Sequence, residues 1–268
     1  MTPIEHYKGI WVKRDDLCFD SPAPPFSKCR GVLKHLQQLK KEGFTNIGYT
    51  ETSISMAGWG VTWACKQLGL NAILFDPRYK NTPEVLAYHR TKWKELGAII
   101  IPIKAGMAKV NWHISKKILL AKYPKSILLP LGLPFEETIQ ATCDEFIESG
   151  LDLYKTLVVN VGSGTICAGI IRGMVMENYT GKLIGVLGRT SDLTKKRKTI
   201  LQKANIMEGG FFTPIDLALI DEGWKYTEKS EQYCPFPCHP YYDLKAWEWL
   251  IKNKNNLSTP ILFWNIGH

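Results

Sequence analysis

The chain has 268 residues, enough for one large domain or two smaller ones with true cores. Its 45% hydrophobic and 22% charged residues fit a soluble globular protein and exclude disorder, collagen-like repeats and a small disulfide scaffold. The formal net charge of +9 favours anionic partners, with phosphate-bearing cofactors and nucleic acids both qualifying.

Taken in chain order, Met1 to Lys13 has no apolar signal-like segment and no small-residue cleavage site. No apolar run anywhere approaches about 20 residues, so neither a secretory signal nor a membrane span is expected. Strands are predicted at Ile10 to Val12, Ile47 to Thr50, Ala72 to Phe75, Ile99 to Ile103, Ile127 to Leu129, Leu157 to Val161, Leu183 to Val186 and Ile261 to Phe263. Their hydrophobicity is continuous rather than alternating, which means burial on both faces and a parallel α/β architecture.

The first helix is predicted from about Lys28 to Lys41, with Ser27 as N-cap, a stripe at Val32, Leu33, Leu36 and Leu39, and Gly43 as the stop. A second begins near Gly58 and ends before Gly69. Further helices are predicted over Pro83 to Leu96, Val110 to Ala121, Glu136 to Glu148, Ile166 to Glu177, Leu193 to Ala204 and Leu244 to Asn253. Trp59 and Trp63 share a face of the second helix, either packing between domains or forming a flat aromatic wall for a large substrate.

Two features in this alternation carry chemistry. Asn160-Val161-Gly162-Ser163-Gly164-Thr165 leads a strand through a glycine-rich turn into a helix. Such a turn can aim backbone N–H groups at a phosphate, or simply make a tight βα turn with close helix packing. It is neither a P-loop, since the Lys-Ser/Thr end is missing, nor a Rossmann fingerprint. The second feature is Lys28, directly after the expected cap in Phe26-Ser27-Lys28-Cys29-Arg30. A protonated amine there opposes the helix macrodipole, which favours the neutral form that a nucleophile needs, although exposed lysines at helix starts are also common.

The basic run Lys195-Lys196-Arg197-Lys198 reads as a solvated helix face or a nucleic-acid contact. Seven scattered cysteines without paired CxxC knuckles read as reduced thiols of a cytosolic protein. Cys234, Cys238 and His239 can be drawn as a partial zinc set, but Pro235 and Pro237 argue for a rigid loop, and no metal is expected.

These segments, in order, resemble the fold-type II family of pyridoxal 5′-phosphate (PLP) enzymes, particularly its 1-aminocyclopropane-1-carboxylate (ACC) deaminase and D-cysteine desulfhydrase branch. Trp11-Val12-Lys13-Arg14-Asp15-Asp16-Leu17 is similar to the family's "hKRDDL" strand, and Ser27-Lys28-Cys29-Arg30 with Leu33 to its "NKxRxL". Ser55 falls on the serine of "QSNH", and Gly162 to Gly169 resembles the "GSGGTxAG" phosphate loop. Pro240-Tyr241-Tyr242-Asp243-Leu244-Lys245-Ala246 looks like "PVYxGKA", and Ile261 to Gly267 like the terminal "LFxHTGG".

The resemblance implies two parallel-sheet α/β domains with PLP in the cleft, the smaller over residues 44–148 and the larger over 1–43 with 149–268. It implies Lys28 as the Schiff-base lysine and proton shuttle, and Gly162, Ser163, Gly164 and Thr165 as the phosphate site. Tyr242 would be an active-site acid or base and Ser55 a second hydroxyl. In the ACC deaminase pattern the acidic residue after the tyrosine lies near the pyridine nitrogen, so Asp243 would keep that nitrogen protonated and point to decarboxylation, Cα proton transfer or deamination. The other reading of Asp243 is a surface cap before the helix at Leu244. Family members form dimers, and a cytoplasmic homodimer is expected.

Three departures stand out: the family's Asn and His after the pocket serine are Met56 and Ala57, and its terminal Thr is Ile266. A more apolar pocket speaks against ordinary recognition of free amino acids. The leading reading is a PLP-dependent lyase or deaminase-type enzyme acting on an amine-bearing, amino-acid-like small molecule through a Cα carbanion. The alternatives are PLP chemistry on an amino-acid group attached to DNA or another macromolecule, and a non-catalytic PLP-fold binding protein.

Overall fold

A computed structural model of the chain describes residues 1–80, 82–206 and 215–268. It separates into two compact units. One comprises Met1–Asp20, Pro25–Ser27 and Thr138–His268, the other Ser21–Pro24 and Lys28–Glu137.

The larger unit holds a six-stranded sheet. Its strands are β1 (Ile4–Tyr7), β2 (Ile10–Arg14), β7 (Thr156–Val161), β8 (Lys182–Leu187), β9 (Leu217–Ile220) and β10 (Ile261–Asn265), in the order β1-β2-β10-β7-β8-β9. All neighbours are parallel except β1 with β2. Leu157, Val159 and Val161 of β7 bury against α5 (Glu136–Glu148), α6 (Thr165–Met176) and α7 (Leu193–Ala204). Val158, between them, buries with Leu244, Trp247 and Leu250 of α8 (Asp243–Asn253). Helices thus cover both faces of the sheet, which is why its strands read as unbroken apolar runs.

Glycines let α5 and α6 approach closely. A Cβ placed on Gly169 would lie 2.5 Å from Thr142 Cβ and 2.6 Å from the Ile139 carbonyl oxygen, and one on Gly173 would lie 2.7 Å from the Phe146 ring.

The smaller unit is built on a parallel sheet of β3 (Asn46–Thr50), β4 (Asn71–Arg78), β5 (Ile99–Lys104) and β6 (Ser126–Leu128), in the order β5-β4-β3-β6. Ile73, Phe75 and Ile103 pack with Leu119 of α4 (Ala108–Lys122) on one face. Helices α1 (Cys29–Lys41), α2 (Ala57–Leu68) and α3 (Glu84–Glu95) complete this unit, with α2 against β3 and β4.

The eight predicted strands and eight helices are all present, within one to three residues at their ends. Two strands escape the sequence pattern. Strand β1 is short and polar, and it pairs antiparallel through a tight hairpin at Lys8 and Gly9, both at positive φ (48° and 86°). Strand β9 is a four-residue Leu-Ala-Leu-Ile segment without a β-branched run.

Ser27 is not the cap of α1. The N-cap position is Lys28, in helical geometry and without a side-chain cap bond, while the Ser27 hydroxyl is buried without a hydrogen-bond partner among the described residues. The stop at Gly43 is as expected, at φ +92°.

The Lys-Arg-Asp-Asp motif at the end of β2 is a buried charge network. Lys13 is fully buried, pairs with Glu145 at 2.5 Å and donates to the Thr2 carbonyl at 2.6 Å. Arg14 bridges Glu5 and Asp16, and Asp15 accepts from Trp264 Nε1 at 2.9 Å. Burial works to raise the Asp16 carboxyl, but hydrogen bonds from His268 and Arg14 outweigh it and hold the group below the ordinary carboxylate range. No disulfide links the cysteines, no group of three His, Cys, Asp or Glu among the described residues could hold a metal, and no described helix is long and apolar enough to cross a membrane.

Candidate active site

In the larger unit the glycine-rich turn joins β7 to α6 as predicted. Gly164 sits at φ +81°, in the left-handed region that favours glycine, directly before the first residue of α6. A Cβ on Gly162 would meet nothing within 4 Å among the described residues, so the turn borders open space there. Ser163 Oγ and Thr165 Oγ1 are 3.0 Å apart, and Thr165 is buried.

Tyr242 and Asp243 lie at the same edge of the sheet. Asn160, two residues before the turn, donates from Nδ2 to the Tyr242 carbonyl at 2.9 Å. Asp243 accepts from the Ile266 amide at 3.1 Å, just past the end of β10, and β10 pairs with β7 in parallel register. The turn, the tyrosine and the carboxyl therefore gather at the carboxyl ends of adjacent parallel strands, where α/β sheets place their ligands.

Asp243 is no surface cap. It is 2% exposed and is itself the first residue of α8. Burial pushes its carboxyl well above the usual range, with the Asp16 charge adding to the rise and the Ile266 amide opposing it.

Sequence reasoning missed several partners here. Tyr226 Oη lies 3.0 Å from Tyr242 Oη, so the two phenols share a hydrogen bond. Lys196, from the basic run expected as either a solvated face or a nucleic-acid contact, donates to the Gly162 carbonyl at 2.9 Å. Lys203, outside that run, donates to the Ser163 carbonyl at 2.6 Å and to Thr165 Oγ1 at 3.4 Å. The seven-residue spacing of these lysines was a signal available in the sequence, since it puts them on one helix face.

In the smaller unit Lys28 Nζ donates to the Gly132 carbonyl at 2.9 Å, and the Lys28 carbonyl starts α1 by accepting from the Val32 amide. Gly132 follows the end of β6, and Ser55 follows the end of the neighbouring parallel strand β3. Both predicted residues of this unit thus attach to the carboxyl edge of its sheet. Ser55 Oγ accepts from the Ala57 amide at 3.0 Å, where α2 begins.

Glu51, also unforeseen, is 1% exposed and accepts from the amides of Thr52 and Gly58 at 2.8 and 2.6 Å. Burial raises it to about 8 against those two amides. Met56 and Ala57 are buried, as are Trp59 and Trp63 at 6% and 5% exposure. Trp59 packs on Tyr88 and His89 and donates to the Pro22 carbonyl, so neither indole is the open aromatic wall considered from the sequence.

The residues present suit PLP. An open glycine turn with two cations behind it suits a dianionic phosphate, and a buried carboxyl whose protonated form is favoured suits a ring nitrogen. A primary amine at the start of a helix, donating to the Gly132 carbonyl, suits an aldehyde.

No protein-family model matches the chain. The glycyl-dTMP PLP-dependent decarboxylase of Pseudomonas phage M6 is 37% identical over 286 aligned positions, which cover 99% of this chain and 98% of that protein. Among solved structures, an ACC deaminase homologue superposes with a TM-score of 0.78 at 19% identity, over 99% of this chain and 89% of the other. The processed form of threonine deaminase isoform 2 from Solanum lycopersicum gives 0.69 at 15% identity, over 99% and 83%. With the fold shared and a relative aligned over nearly the whole of both sequences, the chain belongs to the PLP-dependent enzymes of fold type II.

Proposed function

We propose that this enzyme is a decarboxylase whose substrate is a thymidine nucleotide carrying an amino-acid group, of the glycyl-dTMP kind. The observation that carries the reading is the 37% identity to the phage decarboxylase over nearly both full lengths. The formal net charge of +9 supports an anionic substrate. The apolar Met56 and Ala57, where the deaminase branch has Asn and His, support a reaction in which the substrate carboxylate is released rather than anchored.

In this reading Lys28 would hold the cofactor aldehyde, the turn of Gly162, Ser163, Gly164 and Thr165 would take its phosphate, and Asp243 would serve its ring nitrogen. Bound PLP supplies an electron sink for the pair left on carbon when the bond to the departing CO2 breaks. The chain's own groups then manage protons. Asp243, whose carboxyl burial holds towards its protonated form without the cofactor, would share that proton with the ring nitrogen. Tyr242, its hydroxyl tied to Tyr226, would deliver a proton to the carbon that lost CO2, with the Lys28 amine as the other donor. Ser55 adds a hydroxyl that orients the substrate. A homodimer is part of the same proposal, and light scattering checks it.

The test supplies glycyl-dTMP as the free nucleotide and, separately, as a residue within DNA, and measures CO2 release and product mass. CO2 with a decarboxylated nucleotide is expected from one of these arms, with loss of turnover in Lys28→Ala and a drop of about 100-fold or more in Tyr242→Phe. Ammonia release with the carboxylate retained, or turnover confined to free amino acids, overturns the reading.

A further inference from the structure

The glycine turn has an electropositive back. Lys196 Nζ donates to the Gly162 carbonyl at 2.9 Å, and Lys203 Nζ donates to the Ser163 carbonyl at 2.6 Å. In a trans peptide the carbonyl and the following N–H point in opposite directions. A Gly162 carbonyl turned towards Lys196 therefore sends the Ser163 N–H away from that lysine. A Ser163 carbonyl turned towards Lys203 does the same for the Gly164 N–H. Successive amides aimed to one side, with Gly164 in the left-handed region, make an anion-binding nest.

The charges tell the same story. Among the described residues neither ammonium pairs with a carboxylate, and the neighbouring charges that shift them are cationic. Burial and the neighbouring Lys196 charge lower Lys203 to about 8, and burial with Arg189 lowers Lys196. Arg172 of α6 adds a further cation against the carbonyls of Lys203 and Ala204. A dianion on the far side of the turn relieves this repulsion.

We infer that Lys203, assisted by Lys196, is a phosphate-positioning residue: the two ammonium groups hold the turn's carbonyls rearward, so that the Ser163 and Gly164 amides meet the cofactor phosphate, whose charge they offset. The inference rests on the reading of residues 162–165 as the phosphate site. Neither lysine touches the reacting atoms. Their effect is exerted through the backbone and through charge.

The experiment compares binding of PLP with binding of pyridoxal, which lacks the phosphate. Cofactor-free enzyme is titrated with each and followed by absorbance, for the parent, Lys203→Met, Lys203→Arg and Lys196→Met. The parent is expected to prefer PLP. Lys203→Met should weaken PLP by about tenfold and leave pyridoxal unchanged, Lys196→Met should weaken PLP by about threefold, and Lys203→Arg should recover most of the loss.

Should Lys203→Met fail to fold, by circular dichroism, the more exposed Lys196→Met decides on the same ratio. A PLP-to-pyridoxal preference that survives in the folded Met variants overturns the inference. A parent that shows no preference for PLP overturns the phosphate-site reading instead.

Discussion

Lys13 and Lys203 both belong to the larger unit and both donate to backbone carbonyls, yet their electrical surroundings are opposite. Lys13 is wholly buried beside Glu145, in a network where each cation meets a carboxylate. Lys203 is only partly buried, faces Lys196, and pairs with no carboxylate among the described residues. A compensated buried charge belongs to the scaffold, whereas on the reading proposed above the Lys203 charge waits for a ligand of opposite sign. The motif most recognisable in the sequence, Lys13 to Asp16, turns out to hold the fold. Of the basic run read as a solvated face or a nucleic-acid contact, Lys196 instead turns back onto the Gly162 carbonyl.

Removing each charge separates the two roles. Lys13→Met strands Glu145 in the interior and should cost about 3–5 kcal/mol of stability in urea unfolding. Adding Glu145→Leu should recover much of that. A loss below about 1 kcal/mol for Lys13→Met would show the network to be dispensable. Next in size, Gly164→Ala combines φ +81° with a Cβ 2.7 Å from Ile200 Cγ1, and should cost about 1–3 kcal/mol together with a loss of PLP affinity. Unchanged melting and binding would mean the turn tolerates a different backbone.

Smaller still is the pH response. The depressed Asp16 carboxyl contributes stability that is complete above the ordinary carboxylate value and lost as pH falls through its lower folded value, so the network should weaken only in acid. Lys203 behaves oppositely. Its folded value near 8 lies below the ordinary lysine value near 10.4, so the unfolded chain binds more protons between them. Without cofactor, Lys203→Met should therefore be slightly more stable than the parent at pH 7, and the gap should shrink as pH rises from about 8 to 10.4. Buried thiols such as Cys65 titrate in both proteins and cancel in the difference. A gap that is constant with pH would contradict the charge assignment.

Much of the architecture was legible because two-sided burial writes long apolar runs, and because glycines at 43, 69 and 164 mark real turns. The β1 hairpin was less visible because Lys8 occupies a left-handed position that pattern reading reserves for glycine or asparagine. At the site, Tyr242, Asp243 and the glycine turn were accessible from motif order, and the structure gathers them at one sheet edge. Tyr226, Glu51 and the α7 lysines belong to none of those motifs, and apart from Thr52 beside Glu51 their partners lie 7 to 40 residues away in sequence, so only the fold pairs them. The Ser27 cap failed because a serine before a helix looks the same whether or not its hydroxyl reaches an amide.

The glycines of α6 extend the site beyond the groups that line it. Thr142 and Phe146 press into the places where side chains would stand at 169 and 173, so the axis of α6 is set by contact with α5. A methyl group at 169 would force the helix outward as a rigid rod and carry its amino end, with residues 162–165, along with it. If residues 162–165 hold the phosphate as proposed, cofactor retention would then depend on packing at the α5–α6 seam, and random mutagenesis scored for vitamin B6 loss should return hits along it.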